Sequence, residues 1–213
     1  ILHNRSSASL LLLKDGVWFP NRSLFFKEKI LKMISSKTSF IALIGNPVSH
    51  SLSPIMQNAA LQYLGLDLIY IAIPCKDEDL ELVLNSLKKI NCKGLNITIP
   101  YKKIMIDFVD EVEESALRSD AINTVYMVKD RIIGANTDGI GFISSLKKDL
   151  SFNINSNTNV MCIGAGGAAY GIVSSLIDLS PNIIRIVNRT KSSGIKLVKH
   201  FEKFTQSRQL FET

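Results

Sequence analysis

Apolar residues recur in two different patterns along the chain, and the two patterns alternate from about residue 40 onward. Residues 40–44, 68–73 and 95–99 are short apolar-rich runs, which are typical of strands covered on both faces. Residues 56–64 and 80–87 instead carry apolar side chains at helical spacing. Because strands and helices alternate, we predict an α/β fold with a largely parallel sheet.

The same patterns continue toward the C-terminus with less regularity. We predict a helical segment at 103–109 and two strands at 121–128 and 131–135. A connecting helix is expected at 139–150. Residues 151–159 are polar and rich in asparagine, which indicates a loop or linker before a second unit.

A glycine-rich turn opens that second unit. A buried strand is predicted at 160–163, followed by a G-x-G-x-x-A pattern, a helix and a second strand at 183–187. This context makes the pattern indicative of dinucleotide binding, because glycine lets the backbone approach a pyrophosphate at a helix N-terminus. The second strand is followed by Arg189 instead of the Asp or Glu that binds the ribose of NAD, which favours NADP. The predicted cofactor-binding residues are Gly164, Ala165, Gly166, Gly167, Ala168, Asn188, Arg189, Thr190 and Lys191.

The glycine turn completes a prediction of the domain organisation. We expect an N-terminal α/β substrate-binding domain at 38–138 and a connecting helix and linker at 139–156. A partial Rossmann-type NADP-binding domain is expected at 157–213. Residues 1–37 show no clear period and are expected to form an extension of unknown role.

Polar side chains follow the predicted strands of the first domain, at the end where open α/β sheets bind ligands. Ser53 stands before Pro54 and is expected to cap the helix that starts there. Asn96 and Thr98 alternate with apolar residues and are expected to share a strand face. Such a set suits a small polyhydroxylated ligand. The candidate substrate-binding residues are Ser51, Ser53, Asn96, Thr98, Lys102, Asn123 and Asp138.

Composition argues against several other functions. The chain has 213 residues, of which 46% are hydrophobic and 21% charged, an ordinary globular balance. No apolar run approaches the roughly 20 residues of a membrane helix, and the net charge of +6 is spread over single or paired lysines rather than a stripe. We therefore expect neither a membrane nor a nucleic-acid partner. Three cysteines without metal-ligand spacing predict no metal site and favour a reducing, cytoplasmic setting.

Taken in order, these segments resemble shikimate dehydrogenase. The resemblance runs from about residue 40 to 190 and includes G-N-P-V-S-H-S-L-S-P, N-I-T-I-P-Y-K, I-N-T, N-T-D-G, G-A-G-G-A and N-R-T. It implies a reversible NADP-linked conversion of 3-dehydroshikimate to shikimate, on the route to chorismate and aromatic amino acids. It also implies that Lys102 and Asp138 are the catalytic pair, and that Ser51 and Ser53 hold the substrate carboxylate. The ring hydroxyls would be held by Thr98, Lys102, Asn123 and Asp138, with Asn96 lining the site.

The chain departs from that family at both ends. It stops at Thr213 after one predicted β-α-β unit and a further helix, and residues 1–37 find no counterpart, so we expect an extended N-terminus and a shortened C-terminus. Ser193 stands where the family often has a second arginine, which Lys191 is expected to replace. The assembly is expected to be a monomer or a homodimer. Two alternatives remain open: a quinate/shikimate dehydrogenase that also uses NAD, against which Arg189 argues, and a shortened, non-catalytic shikimate-binding protein.

Overall fold

Strands and helices alternate through the described chain, as the apolar pattern predicts, and the α/β fold class is confirmed. The computed structural model describes residues 34–205 except 91 and 130, together with the backbone of residues 210–212. Most of the extension expected at 1–37 lies outside these residues. The strands are β1 (Ser39–Gly45), β2 (Leu68–Pro74), β3 (Cys92–Ile97), β4 (Glu111–Val112), β5 (Thr124–Val128), β6 (Arg131–Ala135), β7 (Asn159–Ile163), β8 (Ile183–Val187) and β9 (Leu210–Glu212). The helices are α1 (Ser53–Tyr63), α2 (Leu80–Lys89), α3 (Glu114–Ser119), α4 (Asp138–Asp149), α5 (Gly167–Asp178) and α6 (Lys191–Glu202), with 3-10 turns at Asp77–Asp79 and Ile104–Phe108.

Two predicted strands have bounds that differ from those the apolar pattern indicates. β3 ends at Ile97, so Thr98 does not share a strand face with Asn96, and that expectation is wrong. The strand expected at 121–128 begins at Thr124. The preceding residues use their backbone elsewhere: Ile122 N donates to Lys102 O at 2.6 Å, and Asn123 N donates to Ala135 O at 3.1 Å. Residues 121–123 thus form a connecting segment rather than the start of a strand.

Three short elements were not predicted. Strand β4 has two residues and helix α3 has six, too few for a hydrophobic period to be recognisable. Strand β9 pairs parallel with β8 near the C-terminus. The expectation that a single β-α-β unit and one further helix complete this region is therefore wrong, because a third parallel strand follows α6.

The described chain divides into two compact units. The first unit comprises the residues up to Tyr101 together with Thr124–Ile132, and the second comprises Lys102–Asn123 and Ile133 onward. These units do not follow the predicted border at residue 138, and the substrate-binding and NADP-binding domains stay predictions about function.

In the first unit, β1 lies between β2 and β3 and pairs parallel with both, while β5 pairs antiparallel with β3. The sheet of this unit is thus mainly parallel, as predicted. One group of buried side chains packs between β1, α1 and β2: Ile41, Leu43, Val48, Leu61 and Tyr70. This packing fixes the carboxyl end of β1, from which the loop with Ser51 starts.

In the second unit, β7, β8 and β9 form a parallel sheet in that order, and β4 pairs parallel with the end of β6. A core of α5, β8 and α6 includes Val173, Ile184, Ile186, Leu197 and Phe201, each fully buried. The prediction that β7 is buried throughout is wrong, because Met161 and Ile163 alternate outward and are exposed. Among the described residues, no helix is long and apolar enough to cross a membrane.

Candidate active site

A buried ion pair joins Lys102 and Asp138 in the second unit. Lys102 lies just before the 3-10 turn at Ile104–Phe108, and Asp138 is the first residue of α4. The Lys102 Nζ lies 2.6 Å from Asp138 Oδ2, and their side chains are only 6% and 9% exposed. The two residues are 36 positions apart in the sequence, so the fold alone brings the predicted catalytic pair together.

Asn123 completes the arrangement around the carboxylate. Its Nδ2 donates to Asp138 Oδ1 at 2.6 Å, so both carboxylate oxygens are engaged. Its Oδ1 accepts a hydrogen bond from Thr137 N at 2.9 Å, which fixes the amide orientation. Three of the predicted site residues therefore meet around one carboxylate.

In this arrangement, Lys102 is the member of the pair that can donate further hydrogen bonds. A lysine ammonium carries three N–H donors, and Asp138 accepts from one of them. In the described part of the chain, no second partner of this ammonium is found. Because the pair is shielded from water, a charge-assisted hydrogen bond of this kind holds the ammonium in a defined direction. The arrangement can present a proton to a ligand and take it back.

The glycine turn after β7 has the backbone that a dinucleotide needs. Gly164 has φ +116°, in the region that favours glycine, and its N–H donates to Val187 O at 2.7 Å. Among the described residues, a Cβ added at Gly164 or Gly166 would meet no atom within 4 Å, so space is open in front of the first turn of α5. Unpaired N–H groups at a helix N-terminus bind phosphate well. The residues present therefore fit a pyrophosphate.

Side chains after β8 border the same turn. Asn188 Oδ1 accepts from Ala165 N at 3.1 Å, and Asn188 Nδ2 donates to Thr190 O at 2.7 Å. Asn188 thus shapes the turn, and direct cofactor contact by this residue stays a prediction. Arg189 and Lys191 are exposed, as a 2′-phosphate site requires.

The glycine turn also lies against the ion pair. A Cβ added at Gly167, the first residue of α5, would sit 3.6 Å from Lys102 Cδ. A methyl group there would make an ordinary van der Waals contact, so the start of the helix lies directly beside the lysine stem. A dinucleotide held at this turn would be bound next to the proton-carrying group.

The first unit carries the two predicted carboxylate-binding serines. Ser51 Oγ accepts a hydrogen bond from Ser53 N at 3.2 Å. The expectation that Ser53 caps α1 is wrong, because Leu52 is at the N-cap position and makes no side-chain cap. The hydroxyl of Ser51 bridges to the second residue along the chain instead, as in a serine turn. Ser51 lies in the loop after β1, and Ser53 is the first residue of α1.

Asn96 and Thr98 lie further along the first unit. Asn96 is fully buried at the end of β3, where its Oδ1 accepts from Tyr70 OH at 2.7 Å and its Nδ2 lies 3.5 Å from Thr124 Oγ1. Thr98 lies beyond the strand and approaches Gly45 closely, where a Cβ would collide with its methyl group. Gly45 thus allows the loop after β3 to pass close to the end of β1.

Two residues at these positions were not among the sequence candidates. Tyr70 orients the Asn96 amide, and burial raises its pKa well above the usual tyrosine value, so it stays a neutral donor. Its place within an apolar run made it indistinguishable from a core residue. Asn136 Oδ1 accepts from Asp138 N at 3.0 Å, and its position two residues before Asp138 is the spacing of an Asx turn, a signal that was available in the sequence.

Comparison with known proteins gives a consistent result. Residues 43–125 match the family described as shikimate dehydrogenase substrate binding domain. A "Shikimate dehydrogenase (NADP(+))" of Prochlorococcus marinus (strain MIT 9215) is 57% identical over 182 residues, covering 85% of this chain and 62% of the relative. The chain thus spans somewhat less than two thirds of the length of that relative.

Solved structures agree in fold. The crystal structure of shikimate dehydrogenase from Aquifex aeolicus matches with a TM-score of 0.76 and 35% identity, over 85% of this chain and 64% of that one. A shikimate dehydrogenase in complex with NADP+ matches with a TM-score of 0.79 and 34% identity, over 87% and 65% of the two chains. The fold prediction of a substrate-binding part joined to a Rossmann-like part is confirmed by these neighbours. Over the part of their length that it spans, the chain is similar in sequence and fold to these shikimate dehydrogenases.

Proposed function

We propose that the chain serves the reversible reduction of 3-dehydroshikimate to shikimate with NADPH, a step toward chorismate and the aromatic amino acids. The observation that carries the proposal is the Lys102–Asp138 pair, 2.6 Å apart and buried, with the glycine turn of α5 packed against the lysine. A ketone reduction needs a proton donor beside a hydride donor, and these two features supply one site for each. The similarity to NADP-linked relatives supports the same reaction.

In the proposed mechanism, Lys102 of the ion pair transfers the proton. A nicotinamide cofactor held at the glycine turn after β7 would supply the hydride for the carbonyl carbon. Lys102 Nζ donates a proton to the carbonyl oxygen as negative charge develops there, and the resulting amine regains a proton from solvent. Asp138 holds Lys102 in place throughout, and Asn123 holds Asp138. In the oxidation of shikimate, the Lys102 amine takes the hydroxyl proton.

The remaining predicted residues bind rather than react. In the first unit, Ser51 and Ser53 offer hydroxyls for the substrate carboxylate, and Asn96 and Thr98 offer polar groups for ring hydroxyls. These four assignments are proposed from the resemblance and from the residue types. The cofactor is proposed to be NADP, with Arg189 and Lys191 exposed near the turn for the 2′-phosphate.

The state of the cysteines bears on the cellular compartment in which the proposed reaction takes place. Cys75, Cys92 and Cys162 are all free thiols, and burial raises the pKa of each. Protonated, unpaired cysteines suit a reducing compartment, and we propose the cytoplasm. We also propose a small-molecule substrate as the partner of the site, in a monomer or a homodimer.

The test measures NADP+ reduction by the full chain with shikimate and, separately, with quinate. Lys102→Ala is expected to lower kcat about 10²–10⁴-fold, the usual worth of a positioned proton donor, with shikimate affinity largely kept. The matched control is Lys103→Ala, since Lys103 is exposed and pairs with Asp120 at 3.1 Å. Turnover of Lys102→Ala near that of the control would refute the assigned role.

Shikimate binding without turnover by the unchanged chain would favour a non-catalytic binding protein, and better turnover of quinate would favour the quinate enzyme.

A further inference from the structure

We propose that Asn136 is the positioning residue for Asp138, and that the absence of a side chain at Gly171 is what allows Asn136 to occupy its place. The proposal rests on the proposed function of the Lys102–Asp138 pair. It adds a buried residue that acts on the reaction through the placement of Asp138 and Asn123.

Asn136 lies between the end of β6 and the start of α4, and it is 4% exposed. Its backbone N–H and both polar atoms of its side-chain amide have partners. Its N donates to Ser115 Oγ at 3.0 Å, its Nδ2 donates to Ala121 O at 2.9 Å, and its Oδ1 accepts from Asp138 N at 3.0 Å. A buried side chain with every polar atom engaged has a fixed orientation.

These bonds connect the two chain segments that carry the site. The bond to Ala121 O holds the segment that leads to Asn123, and the bond from Asp138 N holds the first turn of α4. Asn123 N in turn donates to Ala135 O at 3.1 Å. The separation of the Asn123 amide from the Asp138 carboxylate is therefore set by Asn136. Loss of its side chain would remove both of its amide links at once.

Helix α5 covers Asn136 from the other side. A Cβ added at Gly171 would lie 2.7 Å from Asn136 Oδ1 and 3.1 Å from Asp138 Cβ. Contacts under 3.0 Å force a shift, and the atom met here is a buried hydrogen-bonded oxygen. Gly171 follows Gly167 by four residues, so both glycines face the same side of α5. One helix face thus lies against Lys102 through Gly167 and against Asn136 and Asp138 through Gly171.

A cavity beside Asn136 determines how a collision would be relieved. It has a volume of about 390 Å³ and is lined in part by Ser115, Asn136, Gly171 and Ser174. Because there is space next to it, the Asn136 amide can move aside when a methyl group is added at Gly171. We therefore expect Gly171→Ala to fold with a displaced Asn136 rather than to unfold.

The experiment compares Asn136→Ala, Asn136→Ser and Gly171→Ala in the full chain. Gly141→Ala is the matched control, because Gly141 also lies inside a helix and a Cβ there would meet no atom of the described chain within 4 Å. A serine can accept the N–H two residues ahead, as in a serine turn, so Asn136→Ser keeps the link to Asp138 N. The first readout is the NMR signal of the Asn123 side-chain amide, assigned with Asn123→Asp, which reports its hydrogen bond to Asp138 without any need for activity.

The expected result is a displaced Asn123 amide signal in Asn136→Ala and Gly171→Ala, an intermediate one in Asn136→Ser, and no displacement in Gly141→Ala. Where the unchanged chain turns over shikimate, kcat falls about 10²-fold in Asn136→Ala, the cost of an error of about 1 Å in a catalytic group. The KM for shikimate stays within about threefold, because Asn136 is buried and is proposed to act through Asp138, and Asn136→Ser recovers much of kcat.

Two outcomes would overturn the proposal. One is an unchanged Asn123 signal in both Asn136→Ala and Gly171→Ala, even with lowered stability, which would mean a purely structural role. The other is an equal effect of Gly171→Ala and Gly141→Ala on signal and kcat. If the unchanged chain shows no turnover, the NMR readout still decides this proposal, and the proposed function fails separately.

Discussion

Removing one member of the Lys102–Asp138 pair should cost more stability than removing both. The pair is 2.6 Å apart, and the two side chains are 6% and 9% exposed. A buried charge that loses its partner keeps its desolvation penalty without the compensating attraction. Removal of both charges leaves no ion in the interior.

The two single changes are expected to differ in size. Breaking a buried ion pair from one side typically costs about 3–5 kcal/mol. Lys102→Met leaves Asp138 with the hydrogen bond from Asn123 Nδ2, so we expect about 3 kcal/mol, the low end of that range. Asp138→Ala leaves the Lys102 ammonium with no other partner among the described residues, so we expect about 5 kcal/mol. The double variant is expected to cost about 2 kcal/mol, mainly from lost packing.

The assay is a double-mutant cycle by urea unfolding, with the free energy of unfolding extrapolated from each midpoint and slope. The expected coupling free energy exceeds about 3 kcal/mol. Additive costs, within about 0.5 kcal/mol, would contradict the argument, because they would mean that the two charges are solvated independently. The exposed pair Lys103–Asp120, 3.1 Å apart with both side chains 48% exposed, gives the control cycle, in which little coupling is expected.

Two further predictions concern the cofactor and a buried tyrosine. Arg189→Ala is expected to weaken NADP+ binding about tenfold or more with little change for NAD+, because a guanidinium on a phosphate forms charge-assisted bonds that an alanine lacks; equal losses for both cofactors in equilibrium binding would contradict that role. Burial and the bond to Asp77 raise the pKa of Tyr101 to about 12 from 10.0. Because this pKa is higher in the folded state than in the unfolded state, the contribution of the Tyr101 hydroxyl to the free energy of unfolding is complete below pH 10.0. It is lost as the pH rises toward about 12. Tyr101→Phe should cost about 1 kcal/mol at neutral pH, since the hydroxyl lies 2.6 Å from Cys75 O, and urea unfolding between pH 10 and 12 should show a weaker pH dependence in this variant than in the unchanged chain.

The alternation of apolar patterns was sufficient to predict most of the fold. It identified the strands that became β1, β2, β6 and β8, because each is an apolar run bounded by turn residues. It failed where backbone hydrogen bonds, rather than side-chain burial, determine the element. Ala121 and Ile122 extend the apolar run of β5, yet the N–H groups of residues 121–123 donate to Ala116 O, Lys102 O and Ala135 O. Helix α3 is too short to carry a period.

The site itself was predictable in composition but not in arrangement. Residue type and position after a strand indicated Lys102, Asn123 and Asp138, whereas their meeting around one carboxylate depends on contacts between distant segments. Tyr70 is a residue whose role could not be predicted from the sequence. Its hydroxyl determines the orientation of Asn96, but in the sequence it is one more aromatic residue in an apolar strand.

The glycines near α5 have more roles in the structure than the sequence motif predicts. The sequence pattern assigns them one purpose, close approach of a pyrophosphate. In the structure, Gly164 is required by its positive φ, and Gly166 borders open space. Gly167 and Gly171 have different neighbours, the Lys102 stem and the Asn136 amide. Because one helix carries both the turn for the dinucleotide and the surface that supports the proton-transfer pair, a change at Gly171 should disturb the chemistry while leaving the turn itself intact.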